Sequence, residues 1–268
     1  YLIVKDNKII KKTAYWKHDF TQNNSLSFPE AVQKLDLLLN DATASRLMSD
    51  VPLGVFLSGG LDSSTIAYYA QKNTTEKINT FSIGFENKSY DESDYAKLVA
   101  GHIGTEHHTQ VLTSQHALEL MDEIYAFIDE PFADASLIPT YFLSKFTRQH
   151  VKVALGGDGS DELLAGYPTF ISDKFKKPFS SLSPALINIF LKLANTTLPA
   201  SDKNISFDFK VKQYLRGFLS KKHHIHQLWL GSFTPDEKER LFQPDVYASL
   251  QEQSGLSIID YHFEHTEK

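Results

Sequence analysis

Val51-Pro-Leu-Gly-Val-Phe-Leu57, followed at once by Ser58-Gly59-Gly60-Leu61-Asp62-Ser63-Ser64, is the stretch on which the fold of this chain turns. The first part is a short apolar run of the kind that forms a buried strand, and Ser63 to Gln71 has the pattern of a helix. Between them, two adjacent glycines let the backbone turn tightly and bring its N–H groups close to an anion with no Cβ in the way. The start of a helix adds a positive dipole end and unsatisfied N–H groups, and the hydroxyls of Ser58, Ser63 and Ser64 add donors suited to phosphate oxygens. Asp62 would repel phosphate unless a divalent cation lay between them, which makes it a candidate Mg²⁺ ligand. No Gly-Lys-Ser or Gly-Lys-Thr follows the glycines, and the spacing is not Gly-x-Gly-x-x-Gly. The bland alternative is a strand-to-helix turn capped by an aspartate.

Working outward, Thr80-Phe-Ser-Ile-Gly-Phe85 reads as a second strand and His107 to Leu112 as a third. Between them Ser89-x-x-Glu92 suggests a capping box opening a helix whose apolar positions are Tyr95, Leu98, Val99 and Ile103. Ser114–Ile128 and Ser136–His150 follow as helices, and Val151-Lys-Val-Ala-Leu155 as a further strand. Upstream, Ser27-Phe-Pro-Glu30 supplies an N-cap and an early proline for a helix carrying Val32, Leu35, Leu39 and Ala42, running to about Met48. Strands alternating with helices of this length predict an α/β fold with a doubly wound parallel sheet and a ligand at the carboxyl ends of its strands. After about residue 172 the strand signal fades and runs such as Pro184–Ala194 and Lys210–Leu219 predict a mostly helical C-terminal lobe. Leu2 to Lys11 reads as two short strands around an Asp6-Asn7 turn, and Lys11–Ser27 as mostly polar linker. The expected organisation is thus 1–27 as the tail of a preceding domain with a linker, 28–172 as the core and 173–268 as the helical lobe.

Gly156-Gly-Asp-Gly-Ser-Asp-Glu162 is a second glycine-rich turn at the end of a buried strand, with three carboxylates in a short span. Carboxylates crowded this way repel one another unless a cation or proton is shared, so metal binding or a shifted pKa is expected. Alternatively, Asp158 and Asp161 cap a helix over Glu162–Ile171. Asp129-Glu-Pro131 and Asp134 are candidates either for the border of a substrate cleft or for helix-end caps, while His223-His224-x-His226 reads as a solvated face and not a metal cluster.

On these residues the chain resembles the ATP pyrophosphatase (PP-loop) family, of adenine nucleotide alpha hydrolase-like fold. Within that family it is most similar to the synthetase domain of B-type, glutamine-hydrolysing asparagine synthetases. The match runs through four ordered motifs beyond the first loop: Thr80–Phe85, Tyr90–Ala96, Asp129–Thr140 and Val153–Tyr167. The resemblance implies that Ser58, Gly59, Gly60, Asp62, Ser63 and Ser64 hold the pyrophosphate of ATP. It makes Leu57 and Ile83 contacts to adenine or ribose and puts Gly156 and Gly157 beside the nucleotide. Asp161 would share magnesium with Asp62, Asp158 would handle the proton of attacking ammonia, and Tyr167 matches a tyrosine near the same site. Gly156 stands where the family often has serine.

The activity implied is adenylation of the side-chain carboxylate of aspartate, with release of pyrophosphate, for attack by ammonia that an upstream glutaminase domain takes from glutamine. A relative that amidates or cyclises another carboxylate, in secondary-metabolite or cell-surface polysaccharide biosynthesis, fits the same motifs. A nucleotide-sensing module that has lost catalysis is disfavoured by intact Asp62 and Asp161. Homodimers are among the assemblies the resemblance allows.

The rest of the chain is consistent with this. With 27 basic against 33 acidic residues among 268, a net charge of −6 and no cysteine, it offers no basic field for nucleic acid or anionic membrane, no disulfides and no thiolate chemistry. Neither a membrane-spanning run nor a secretory leader is evident, so a cytoplasmic location is expected. The first residue is not methionine and the last four residues fall inside a polar stretch, so the sequence reads as part of a longer chain, without the family's glutaminase cysteine or its later basic segment.

Overall fold

A computed structural model describes residues 1–16, 25–130, 132, 134–201, 203, 205–231, 233–251 and 255–265. Residues 17–24 of the expected linker, Pro131 and the last three positions lie outside the described residues. Residues 1–31 with 233–268 form one compact unit and residues 32–232 another.

In the first unit, β1 (Leu2–Lys5) and β2 (Lys8–Lys12) pair antiparallel across Asp6 and Asn7. Those two residues have φ of 51° and 58°, the left-handed conformation that short polar side chains tolerate best after glycine. The same unit contains the helices Pro235–Leu241, Pro244–Gln251 and Leu256–His265. The first of these is opened by a capping box between Thr234 and Glu237. Next in chain order, α1 (Phe28–Arg46) starts where expected, the Ser27 amide and hydroxyl donating to Glu30 Oε2 at 2.8 and 2.6 Å. It ends two residues before Met48.

The second unit is built around one sheet. Its elements are β3 (Leu53–Phe56), α2 (Leu61–Lys72), β4 (Asn79–Phe85), α3 (Ser93–Ile103), β5 (Glu106–Leu112), α4 (Ser114–Phe127), α5 (Leu137–Thr147) and β6 (Val153–Leu155). All strand pairs are parallel and the order is β5-β4-β3-β6. Val55, Thr80 and His107 lie in register, and Val55 packs with Ala67, Ala70, Ala96 and Ala100 of α2 and α3. Phe56, Phe81 and His108, one step along, are turned to the opposite face, where Phe81 meets Phe146 of α5 edge-to-face at 5.9 Å. Helices therefore cover both faces, as the alternation of strands and helices predicts, and each large side chain fully buried between them contributes about 1.5–3 kcal/mol. After β6 come α6 (Ser160–Leu164), α7 (Pro168–Asp173), α8 (Pro184–Thr197), α9 (Phe207–Gly217) and α10 (Ile225–Leu230). Ile187, Leu191, Leu215, Phe218, Ile225 and Trp229 form a separate core among α8, α9 and α10. No helix among the described residues is long and apolar enough to cross a membrane.

Several local expectations are corrected. The Ser89–Glu92 capping box does not form. The Ser89 amide and hydroxyl both donate to Asn87 Oδ1, and Asp91 anchors the start of α3 instead. The Asp91 side chain is 8% exposed and accepts from the Ser93 amide at 3.2 Å, from Lys88 at 3.2 Å and from the Phe85 amide at 3.4 Å. Tyr95 and Leu98 are exposed, because the buried face of α3 is made of Ser93, Ala96 and Ala100. The helix expected over Glu162–Ile171 is two helices. Pro168 disfavours a helical residue before it, so Tyr167 is extended, and Ala165 is left-handed at φ 56°. Neither Asp158 nor Asp161 caps α6, whose N-cap is Gly159 with no side-chain cap bond. His224 is buried, not solvated, and His226 is hydrogen-bonded with Thr169 at 2.9 Å.

Candidate active site

The sheet places two loops at one spot. Strand order reverses at β3, since β4 and β5 lie to one side and β6 to the other, and such a switch point opens a crevice at the carboxyl ends of the strands. The Ser58–Gly60 loop leaves β3 and the Gly156–Gly159 loop leaves β6, so both rise into that crevice.

In the first loop Gly59 has φ +86°, and a Cβ there would fall 2.6 Å from the Ala96 amide nitrogen, so this loop rests on the first turn of α3. Gly60 is the N-cap of α2 and has no side chain to satisfy the amides of the first turn, which lack acceptors within their own helix. Ser58 and Ser63 brace the turn. Their hydroxyls lie 2.9 Å apart, the Ser58 amide donates to Ser63 Oγ, and the Gly60 amide donates to Ser58 Oγ. Ser64 faces elsewhere: its amide donates to Gly60 O at 3.0 Å and its hydroxyl is buried with no hydrogen-bond partner.

The second loop touches the first. A Cβ on Gly157 would lie 2.8 Å from the Ser63 nitrogen and 3.0 Å from the Asp62 carbonyl carbon, so glycine is what lets the two turns meet. Ser160 Oγ ties back to Gly157 O at 3.0 Å, and Gly159 turns the chain at φ +89°. Tyr167 donates its hydroxyl to Glu162 Oε1 at 2.7 Å, and that bond, aided by burial and by the charges of Glu162, Asp161 and Asp158, pushes the phenol up to about 12. The hydroxyl is therefore held protonated, and the same bond keeps the Glu162 carboxyl below its ordinary range.

Together the loops bound a cleft of about 510 Å³. Of the residues singled out by sequence, Leu57, Ser58, Asp62, Ser63, Ile83, Gly156, Gly157, Asp158, Asp161 and Tyr167 line it, and Gly59, Gly60 and Ser64 do not. Asp129, Glu130 and Asp134 border a separate hollow of about 500 Å³ between the end of α4 and the start of α5. There Asp134 accepts from the Ser136 amide at 2.8 Å, which lowers its pKa.

Sequence reading overlooked Ser82, Tyr90, Glu92 and Thr140, which also line the cleft. Ser82 belongs to a polar network inside the sheet, its hydroxyl 3.2 Å from His107 Nε2 and 3.1 Å from Thr109 Oγ1. Alternation along β4 could have shown that Thr80 and Ser82 share a face, but not what lay opposite them. Glu92 carries the sequence signature of a capping box, which conceals its place in the cleft.

Five carboxylates line the cleft, those of Asp62, Glu92, Asp158, Asp161 and Glu162, and no Lys, Arg or His does so among the described residues. An anionic ligand can enter such a site only with cations, and a hard divalent ion held by carboxylate oxygens meets that need. The donor set fits magnesium.

Residues 34–256 match the asparagine synthase family. The chain belongs to that family. It is 35% identical over 250 residues to a Methanocaldococcus jannaschii protein named Putative asparagine synthetase (glutamine-hydrolyzing) 2, an alignment covering 90% of this chain and 45% of that protein. It is 35% identical over 198 residues to asparagine synthetase (glutamine-hydrolyzing) 1 of Bacillus subtilis, covering 72% of this chain and 30% of that one. The chain thus spans less than half the length of these members of the asparagine synthase family. Among solved structures, an NH3-dependent NAD synthetase from Campylobacter jejuni aligns over 72% of this chain and 95% of its own, at 17% identity and a TM-score of 0.35, too slight a likeness to bear on function.

Proposed function

We propose that this chain is the ATP-using part of a glutamine-hydrolysing asparagine synthetase, a carbon–nitrogen ligase that activates the side-chain carboxylate of aspartate as an acyl-adenylate. The observation that carries the reading is the meeting of two glycine-rich turns at the sheet's switch point, Gly157 against Asp62 and Ser63, around one carboxylate-lined cleft. The exposed amides at the start of α2, with Ser58 and Ser63, suit the pyrophosphate part of ATP. Ile83 suits the nucleoside, Leu57, whose side chain is packed in the core with Val55 and Ala67, offers it backbone only, and Gly156 and Gly157 leave room beside it. Asp62 and Asp161 would hold Mg²⁺, which neutralises phosphate charge when bound.

In the reaction a carboxylate oxygen attacks the α-phosphorus while the bond to pyrophosphate breaks. Ammonia nitrogen then attacks the acyl carbon, AMP leaves, and the nitrogen loses a proton that Asp158 is set to accept. Tyr167, kept protonated by its hydrogen bond to Glu162, positions the Glu162 carboxylate at the edge of the cleft without titrating.

Residues 1–27 are proposed to close an upstream glutaminase domain that supplies the ammonia, residues 28–172 to form the nucleotide-binding core, and residues 173–268 to form the helical lobe, all acting in the cytoplasm. The relatives' names, which include glutamine hydrolysis, support that partner.

Calorimetry tests the core of the reading. The chain is expected to bind ATP with magnesium and to lose that binding when EDTA is added, and Asp62→Asn should weaken binding about tenfold or more, since loss of a group that merely supports a metal ligand already costs about that much. ATP binding that is indifferent to both EDTA and Asp62→Asn would remove the magnesium assignment. In the complete enzyme, pyrophosphate release supported by other acids as well as by aspartate would remove the assignment of aspartate.

A further inference from the structure

Two acids of the second loop are seated over glycines. A Cβ on Gly156 would collide with Oδ2 of Asp158, and its next neighbours would be Asp158 Cγ at 3.5 Å and the Asp158 nitrogen at 3.9 Å. The space above Gly156 is thus filled by the tip of one carboxylate and by nothing else nearby. A Cβ on Gly166 would likewise meet Oδ1 of Asp161, with Cγ at 3.1 Å.

Backbone conformation does not demand glycine at either place. The glycines with positive φ are Gly59, Gly104 and Gly159, and at Gly156 an alanine would be allowed by its dihedral angles. What a side chain there would disturb is the position of Asp158.

The electrostatics of the cleft give that position a purpose. Five acidic residues line the cleft without a cationic side chain among the lining residues, so their like charges favour a carboxylate that lies back from the opening. Asp158 can lie back against the end of β6 because residue 156 has no Cβ.

We infer that Gly156 is a positioning residue for Asp158: by leaving a seat for its carboxylate it sets how far that charge reaches into the cleft, and so sets the cleft's affinity for a nucleoside triphosphate. The inference rests on the reading of the cleft as a Mg·ATP site and adds to it a control on affinity.

The test is a cycle of Gly156→Ala, Asp158→Ala and the double variant in the whole chain. Only the end of a rotatable side chain stands in the way of the new methyl, so Gly156→Ala should fold, and a thermal melt checks that. A crystal structure of Gly156→Ala should show the Asp158 carboxylate swung to another rotamer over an unchanged loop. Mg·ATP affinity by calorimetry should fall about fivefold in Gly156→Ala, the factor expected when a charge moves closer to phosphate in a partly solvated cleft. In the Asp158→Ala background the same substitution should change affinity by less than about twofold, because there is no carboxylate left to displace.

An equal loss in both backgrounds, or an Asp158 carboxylate unmoved in the variant crystal, overturns the seat. A wild-type chain that binds no Mg·ATP overturns the reading of the cleft and the affinity control with it, while the variant crystal still decides the seat.

Discussion

Two adjacent glycines in the first loop should answer very differently to the same substitution. Gly59 is held at φ +86°, and a Cβ there would sit 2.6 Å from the Ala96 nitrogen and the Tyr95 carbonyl carbon and 2.7 Å from Tyr95 Cβ. Two of those three atoms are backbone of the first turn of α3, which cannot swing aside. Left-handed backbone costs a non-glycine residue about 1–2 kcal/mol, and forcing an extra carbon into a close-packed contact costs about 1–3 kcal/mol more. The sum is about 2–5 kcal/mol, or a fall in Tm of roughly 5–15 °C for a domain of this size. Gly60, by contrast, has φ −69° and ψ 164°, open to any residue, and its Cβ would meet only the rotatable Ser58 hydroxyl at 3.3 Å. Alanine there lowers the entropy of the unfolded chain, worth about 0.4–1 kcal/mol in favour of the fold, but it is a poorer N-cap than glycine by a similar amount, so the two roughly cancel and Tm should barely move. Melts of Gly59→Ala and Gly60→Ala followed by circular dichroism at one scan rate make the comparison. Equal Tm values for the two variants would refute the claim that the first loop is braced against α3.

The other expectations concern single carboxylates. In the complete enzyme, Asp158→Ala should keep aspartate-dependent pyrophosphate release while amide formation falls about 10²–10⁴-fold, the usual contribution of a positioned proton acceptor; parallel loss of both products would withdraw the proton-handling role. Asp91→Ala should cost about 2 kcal/mol at neutral pH, since it leaves the amides of buried Ser93 and half-buried Phe85 without their acceptor. The Asp91 carboxyl is held at about 2, below its ordinary 3.8, chiefly by its hydrogen bonds with Ser93 and also by Lys88 and Phe85. A depressed pKa stabilises the fold above the ordinary value, and that stabilisation is lost as pH falls through about 2, so wild type and variant should converge in urea melts only at the acid end. A stability gap independent of pH down to that range would count against the charged form of Asp91 as the anchor.

How much could be read from sequence divides along local and non-local physics. The first loop was legible because its chemistry is contiguous: an apolar run, two glycines and a helix start are adjacent in the chain, and each has its own physical signature. The hairpin at Asp6-Asn7 and the start of α1 at Ser27 were legible for the same reason. The capping box at Ser89 failed although its pattern was correct, because Asp91 had a better position. Its carboxylate reaches the Phe85 amide at the end of β4 as well as the Ser93 amide, and only the tertiary path of the strand makes that second donor available. The large residues of α3 do not mark its buried face. The face that matters carries Ser93, Ala96 and Ala100, small because the helix must lie close to the sheet and because Gly59 packs on its first turn.

The candidate site is non-local in the same sense. The two glycine turns are far apart in sequence and meet only because β6 returns to the open side of β3, a strand order that no local pattern encodes. Once that order is given, the roles of the glycines separate. Gly59 and Gly159 serve the backbone, Gly157 serves the contact between loops, and Gly156 leaves space for the carboxylate of Asp158. A run of glycines and acids read as one motif therefore contains distinct devices, and the distinction rests on what a single absent methyl group would have touched.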